Sequence, residues 1–187
     1  MTGTSWHVGW PERSKRWDAE IRRGGYPPAG SPTPDRKEMI VAEQAVERMV
    51  VAASPERCFE TVADLDRYPE WAADIKSVKV NTRDREGRPG EVEFRAAAFG
   101  RSTTYTLAYD FSEAPTAISW KLVSGDLTSK LDGSYRFMPS GESSTEVTYS
   151  LEVELRVPLP SFIKRRAQGR IMHTALVELK ARVESGG

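Results

Sequence analysis

Aromatic side chains recur at every second residue in several segments of the chain. Within these segments, the positions that carry apolar residues include Phe94, Tyr105, Tyr109, Trp120, Tyr135 and Tyr149. A period of two places such residues on one face of a β-sheet. A buried tyrosine hydroxyl needs a hydrogen-bond partner, which a ligand, a water or another side chain can supply. The pattern predicts an aromatic inner surface that binds an apolar molecule through a few polar contacts; plain core packing, with the hydroxyls at the rim, is the alternative.

A second candidate set lies near the C-terminus. Steps of three and four residues put Arg165, Gln168, Gly169 and Met172 on one face of a predicted helix. Glycine in a helix interior costs about 1 kcal/mol relative to alanine, so Gly169 would leave space beside the helix. Arg165 and Gln168 would then form a polar entrance to a cavity. The alternative is that Arg165 extends to solvent with its basic neighbours.

The sequence contains no pattern typical of a hydrolytic or metal enzyme. It has two histidines and one cysteine, and it lacks a phosphate-binding glycine loop, metal-ligand spacing and a nucleophile elbow. We therefore predict no metal and no cofactor, and we assign no catalytic residue.

The elements that must position these side chains begin near Ile40. A first strand is predicted over 41–51, and Ser54 followed by Pro55 is typical of a helix start. A second short helix is predicted over 66–73 and a long one from 161 to about 183. Six further strands are predicted between the short helices and the long one, over 75–81, 92–98, 105–111, 118–122, 127–137 and 147–155.

This order of elements, together with the segment ADLDRYPEW over 63–71, resembles the START-like (SRPBCC) superfamily and within it the polyketide cyclase/dehydrase and lipid-transport branch. The resemblance covers roughly 40–184. It implies an α+β helix-grip fold, in which a curved seven-stranded antiparallel sheet wraps around a long C-terminal helix and leaves a cavity between them. Tyr68 and Trp71 flank Pro69 at a predicted helix turn, where such an aromatic pair packs against the sheet and can close one end of the cavity; direct contact with the ligand is the alternative.

The first 37 residues differ in composition from the rest. They hold five of the twelve prolines and three of the five tryptophans, with several arginines between them. We interpret 1–37 as an extension and linker, and 38–185 as the START-like domain. The extension either contacts a protein or a membrane surface, or it is a tail without such a role.

Charge and hydropathy exclude other classes of function. Lys and Arg number 27, equal to Asp and Glu, which argues against a dedicated nucleic-acid-binding protein. No run of about 18 apolar residues predicts a transmembrane segment. A single cysteine fits a reducing compartment, so we expect a cytoplasmic protein.

Three hypotheses for function follow. The first is a protein that binds a lipid, polyketide or isoprenoid-like molecule. The second, implied by the resemblance, is a cyclase that holds a polyketide chain while tyrosine and arginine donors stabilise the enolate oxygens of an aldol-type ring closure. The third is a regulatory module that binds a partner through the Trp-rich tail.

Overall fold

The computed structural model of the protein describes residues 44–98, 101–156 and 160–186. A short 3-10 turn, Leu65–Arg67, precedes the second helix. The elements run in the order β1 (Ala45–Val51), α1 (Pro55–Ala63), α2 (Tyr68–Trp71), β2 (Ile75–Val80), β3 (Glu91–Ala98), β4 (Arg101–Asp110), β5 (Ala117–Gly125), β6 (Thr128–Pro139), β7 (Thr145–Leu155) and α3 (Ser161–Glu184). The extension 1–37 and the predicted domain boundary at 38 lie outside the described residues.

The seven strands form one antiparallel sheet in the order β1-β7-β6-β5-β4-β3-β2. Side chains alternate between the two faces, as β7 illustrates: Thr145, Val147, Tyr149 and Leu151 are buried and the residues between them are not. This alternation lets the sheet bury one face against α3. The predicted helix-grip fold is confirmed.

The first helix begins as its sequence predicts. The Ser54 hydroxyl accepts a hydrogen bond from the backbone N–H of Arg57 at 3.3 Å, and Pro55 occupies the first helical position. Cys58 and Val62 lie on the inner side of this helix and belong to the hydrophobic core.

The long helix buries a narrower face than its sequence predicted. Its buried side chains are Gln168, Met172, Leu176, Leu179 and Val183. Arg165 and Gly169, which we expected on the same face, are exposed. Spacings of four, four, three and four residues follow a narrow stripe, and Gly169 falls at its margin. Arg165 is in line with the stripe, three residues before Gln168, but it lies beyond the last buried residue towards the N-terminus of the helix.

Hydrogen bonds fix the C-terminal end of α3 to β1 and α1. Lys180 Nζ donates to the carbonyl of Val50 at 2.8 Å, and Glu184 Oε1 accepts from the backbone N–H of Ala52 at 2.7 Å. Arg57 Nε donates to the carbonyl of Val183 at 3.3 Å. The helix is therefore anchored at the end where its buried residues are most numerous.

A glycine in β6 makes room for the largest inner side chain. A Cβ on Gly133 would lie 2.5 Å from Cζ2 of Trp120 and 2.8 Å from the carbonyl oxygen of Ser150. Such distances are well inside van der Waals contact, so only glycine lets the Trp120 indole lie flat on β6. Trp120 is consequently 7% exposed.

Candidate ligand-binding cavity

Two adjoining pockets lie between the sheet and α3, each of about 150 Å³. We call them the aromatic lobe and the aliphatic lobe. The lining they share comprises Asp74, Ile75, Tyr105, Leu131 and Ile171. Because they share these walls, the two lobes are neighbours with different chemical surfaces, and together we call them the cavity.

Rings in mutual contact form most of the aromatic lobe. The Trp120 ring centroid lies 5.9 Å from that of Tyr109, 5.6 Å from that of Tyr135 and 5.8 Å from that of Tyr149. Phe94 stacks on Tyr105 at 5.5 Å. Such contacts hold the rings in fixed orientations, so the wall presents aromatic faces and edges in a preset arrangement.

The tyrosine hydroxyls in this lobe are held in the neutral, donating form. Tyr68 donates to the carbonyl of Val62 at 2.8 Å, and the hydroxyls of Tyr135 and Tyr149 interact with each other. Among the described residues, Tyr105 and Tyr109 have no hydrogen-bond partner for their hydroxyls. Burial raises the pKa of all five tyrosines, because the phenolate would lose its hydration. The lobe therefore offers O–H donors and no anionic phenolate near neutral pH.

The aliphatic lobe has branched side chains with a few polar groups at its edge. Leu127, Val153 and Leu155 line it beside Gln168 and Lys164. Gln168 Nε2 donates to the carbonyl of Leu151 at 2.6 Å. This bond satisfies a buried amide and ties α3 to β7, which gives Gln168 a structural role at the cavity wall.

The cavity opens beside α3. Asp74, Ala97 and Ile171 line it and are themselves exposed, so we call these three residues the mouth. Ile171 is 40% exposed and lines both lobes. A ligand entering here would pass between the start of β2 and the middle of α3.

The structure divides the sequence-predicted site residues into four groups. All six predicted aromatic residues line the aromatic lobe, namely Phe94, Tyr105, Tyr109, Trp120, Tyr135 and Tyr149. Gln168 lines the aliphatic lobe, whereas Met172 is buried in the core without lining either lobe. Arg165 and Gly169 are exposed and line neither lobe. A Cβ on Gly169 would meet nothing within 4 Å, so there is open space beside this glycine. The polar entrance formed by Arg165 and Gln168 stays a prediction.

Several lining residues were absent from the sequence-predicted set. Tyr68 and Trp71 line the aromatic lobe from α2, and Ala175 lines it from α3. Leu107 and Leu131 could have been found, because both continue the period-two pattern of their strands. Ala175 had no such signal, since it lies beside the buried stripe of α3 and not within it.

A separate polar groove lies at the other side of the short helices. Three arginines line it together with two carboxylates in a space of about 280 Å³, namely Arg57, Arg67, Arg182, Glu60 and Asp64. Arg182 pairs with Glu70 at 2.9 Å, and Arg67 lies 3.6 Å from Asp64. These ion pairs offset charges in the groove. Its lining is mostly polar, whereas that of the cavity is mostly apolar.

Residues 42–184 match the model of the family described as polyketide cyclase/dehydrase and lipid transport. The chain belongs to this family. Its fold is therefore the hydrophobic-ligand-binding fold of the START and polyketide cyclase group. A comparison with curated proteins found no match.

Three solved structures with the same fold illustrate the similarity. A START superfamily protein from Mycobacterium smegmatis is 27% identical, with a TM-score of 0.73 over 77% of this chain and 99% of that one. The ZhuI aromatase/cyclase from Streptomyces sp. R1128 is 14% identical, with a TM-score of 0.67 over 76% of this chain and 93% of that one. A protein from Thermus thermophilus is 20% identical, with a TM-score of 0.65 over 78% of this chain and 99% of that one. The last two structures share so little sequence with this chain that their similarity shows the fold alone.

No helix in the three described ranges is long and apolar enough to cross a membrane.

Proposed function

We propose that the protein binds one hydrophobic or aromatic small molecule in the cavity between the sheet and α3. The observation that carries this proposal is the aromatic lobe, where aromatic rings that include Tyr105 and Tyr109 line a space between the sheet and α3. Ligand sites are typically apolar cavities with a few directed polar groups, and this lobe has that composition.

The two lobes suggest the chemistry of the ligand. A planar, oxygen-bearing ring suits the aromatic lobe, where Tyr105 and Tyr109 would donate hydrogen bonds to its carbonyl or ether oxygens. An aliphatic chain suits the lobe lined by Leu127, Val153 and Leu155. A lipid, a polyketide or an isoprenoid-like compound satisfies both requirements, and ligand binding would displace solvent from apolar walls.

A second candidate is a polyketide cyclase/dehydrase activity in the same cavity. Neutral tyrosine hydroxyls could stabilise a developing enolate oxygen during ring closure, and ZhuI, one of the proteins with the same fold, is an aromatase/cyclase. However, the aromatic lobe has no lysine, arginine or histidine among its described lining residues, and its carboxylates are Asp74 and Glu178. An acid and base placed deep in the cavity would be expected of an enzyme, so we rank binding first.

Cys58 is the only cysteine of the sequence, and its thiol is free and buried. A free cysteine supports our proposal of a reducing, cytoplasmic location. The third hypothesis, a partner-binding role of residues 1–37, concerns residues outside the described part of the chain and stays a prediction.

The proposal is tested by displacement of an apolar fluorescent dye from the full-length chain. We expect the dye to bind with one site per chain and to be displaced by polycyclic or long-chain compounds that carry oxygens. Ala175→Phe should abolish dye binding, because the added ring would occupy the aromatic lobe. Val177→Phe is the matched control, since Val177 is 44% exposed on the same helix and lines neither lobe.

Failure of every compound in a panel of fatty acids, quinones and polyphenols to displace the dye would contradict the proposal. Equal dye binding by Ala175→Phe and the wild type would also contradict it. Chemical conversion of a supplied polyketide chain by the wild type and by Val177→Phe, but not by Ala175→Phe, would favour the cyclase hypothesis over the binding hypothesis.

A further inference from the structure

The N-terminal part of α3 combines exposed apolar side chains with a concentration of positive charge. Phe162 is 65% exposed and Ile163 is 38% exposed. Between 161 and 177 the sequence has four basic residues, Lys164, Arg165, Arg166 and Arg170, and no carboxylate. The whole chain has a formal net charge of zero, so this helix segment is a local exception.

The position of these charges is unfavourable for the helix itself. The first turn of α3 contains no acidic residue, and its N-cap, Pro160, provides no side-chain hydrogen bond. The N-terminus of a helix carries partial positive charge, so cations nearby reduce its stability. Carboxylates at these positions would stabilise the helix, so the basic residues indicate a role other than helix stability, such as contact with a negatively charged partner.

The exposed side chains lie on adjoining rows of the helix. Phe162, Arg166 and Arg170 follow steps of four, and Ile163 precedes Arg166 and Arg170 by three and seven residues. Apolar and cationic side chains therefore alternate over one solvent-facing surface. A surface of this kind inserts its apolar residues at the acyl boundary of a bilayer while its cations contact anionic headgroups.

We propose that Phe162, Ile163, Arg166 and Arg170, which we call the basic apolar patch, dock the protein on a membrane that carries anionic lipids. Lys164 and Ile171, which line the aliphatic lobe, lie on another side of the same helix. Docking would therefore hold the mouth at Ile171 one helix diameter, roughly 10–12 Å, from the patch and so close to the headgroup layer. An apolar ligand could then pass between the bilayer and the cavity with little exposure to water. Docking itself does not depend on the proposed ligand-binding function, whereas transfer through the mouth rests on it.

The test is cosedimentation of the full-length chain with vesicles, either of phosphatidylcholine alone or of an equal mixture with phosphatidylglycerol. We expect binding only to the mixed vesicles, weakened by added salt because the attraction is electrostatic. The double substitution Arg166→Gln and Arg170→Gln should lower vesicle affinity by about tenfold or more. Phe162→Ser should lower it several-fold without changing the dependence on salt.

Matched controls come from the outer face of the sheet. Val46→Ser removes an apolar side chain that is 52% exposed, and Lys121→Gln removes an exposed cation. Both variants should sediment like the wild type. Dye binding in the cavity should survive in every variant, because none of the substituted residues lines it. This readout separates a failure of docking from a failure of the proposed function.

Four results would overturn docking through this patch. The first is failure of the wild type to sediment with the mixed vesicles. The second is sedimentation of the patch variants as strong as that of the wild type, which would assign membrane binding to another part of the chain. Insensitivity to salt would exclude the electrostatic basis. Equal or tighter binding of a nucleic acid, lost in the arginine variant, would show that the cations serve a different polyanion.

Discussion

The two halves of α3 differ in what they do for the protein. The C-terminal half buries Met172, Leu176, Leu179 and Val183; Lys180 ties it to β1, and Glu184 ties it to Ala52, the residue after β1. In the N-terminal half Gln168 is buried, whereas most of the other side chains are exposed, among them Arg165, Arg166 and Arg170. The helix is therefore a core element at one end and the border of a cavity at the other.

This difference indicates that separate segments of one helix control the stability of the fold and the access of the ligand. Substitutions in the C-terminal half should change the free energy of unfolding. Substitutions of the exposed residues in the N-terminal half should leave the free energy of unfolding nearly unchanged or raise it. The following predictions test that division, beginning with the largest effect.

Leu176→Ala should lower the free energy of unfolding by roughly 2–5 kcal/mol, because it removes a fully buried side chain and leaves a cavity. Denaturant titration measures this change. The neighbouring Val177→Ala is the control and should change stability by less than about 0.5 kcal/mol, since Val177 faces solvent. Equal effects of the two variants would show that the C-terminal half is not packed as described.

Gly133→Ala should lower the free energy of unfolding by about 1–3 kcal/mol, as overpacked core substitutions do. The new Cβ would collide with the Trp120 ring and with the backbone of Ser150, and only the ring has room to move. The tryptophan emission should shift as the indole is displaced, and dye affinity should fall with it. Unchanged emission and unchanged stability would mean that Trp120 does not lie on Gly133.

Gly169→Ala should raise the free energy of unfolding by about 1 kcal/mol, because alanine is the better helix former and its Cβ meets nothing within 4 Å. Dye affinity should not change, since Gly169 lines neither lobe. Thermal unfolding with and without dye measures both quantities. Loss of dye binding would restore the sequence-based expectation that this glycine makes space for the ligand.

Affinity for an uncharged dye should be constant between about pH 6 and pH 9. Burial raises the pKa of the cavity tyrosines above the usual value near 10, so their hydroxyls stay protonated throughout this range. The stability these neutral tyrosines provide is complete below about pH 10 and falls as the pH rises further, because the unfolded chain ionises its tyrosines before the folded chain does. A decrease in unfolding free energy that begins near neutral pH would contradict the protonation state described for the lobe.

The strands and the inner aromatic residues were predictable because a period of two is set by the backbone alone. Tyr109 and Trp120 follow that period, and each lies where the alternation puts it. The face of α3 was less predictable, because steps of three and four define a broad stripe and the sheet covers only part of it. Whether Gly169 faces a cavity or solvent depends on where the sheet ends, which no local pattern encodes. The contribution of Ala175 was equally hidden, since a small residue beside the stripe carries no signal in sequence.

The most direct test of the central claim is a crystal structure of the protein with the compound that displaces the dye most strongly. The account predicts ligand density in the aromatic lobe, against Trp120 and Tyr109, with a ligand oxygen within hydrogen-bonding distance of the Tyr105 or Tyr109 hydroxyl. Density in the polar groove lined by Arg57, Arg67 and Arg182, with an empty aromatic lobe, would contradict it.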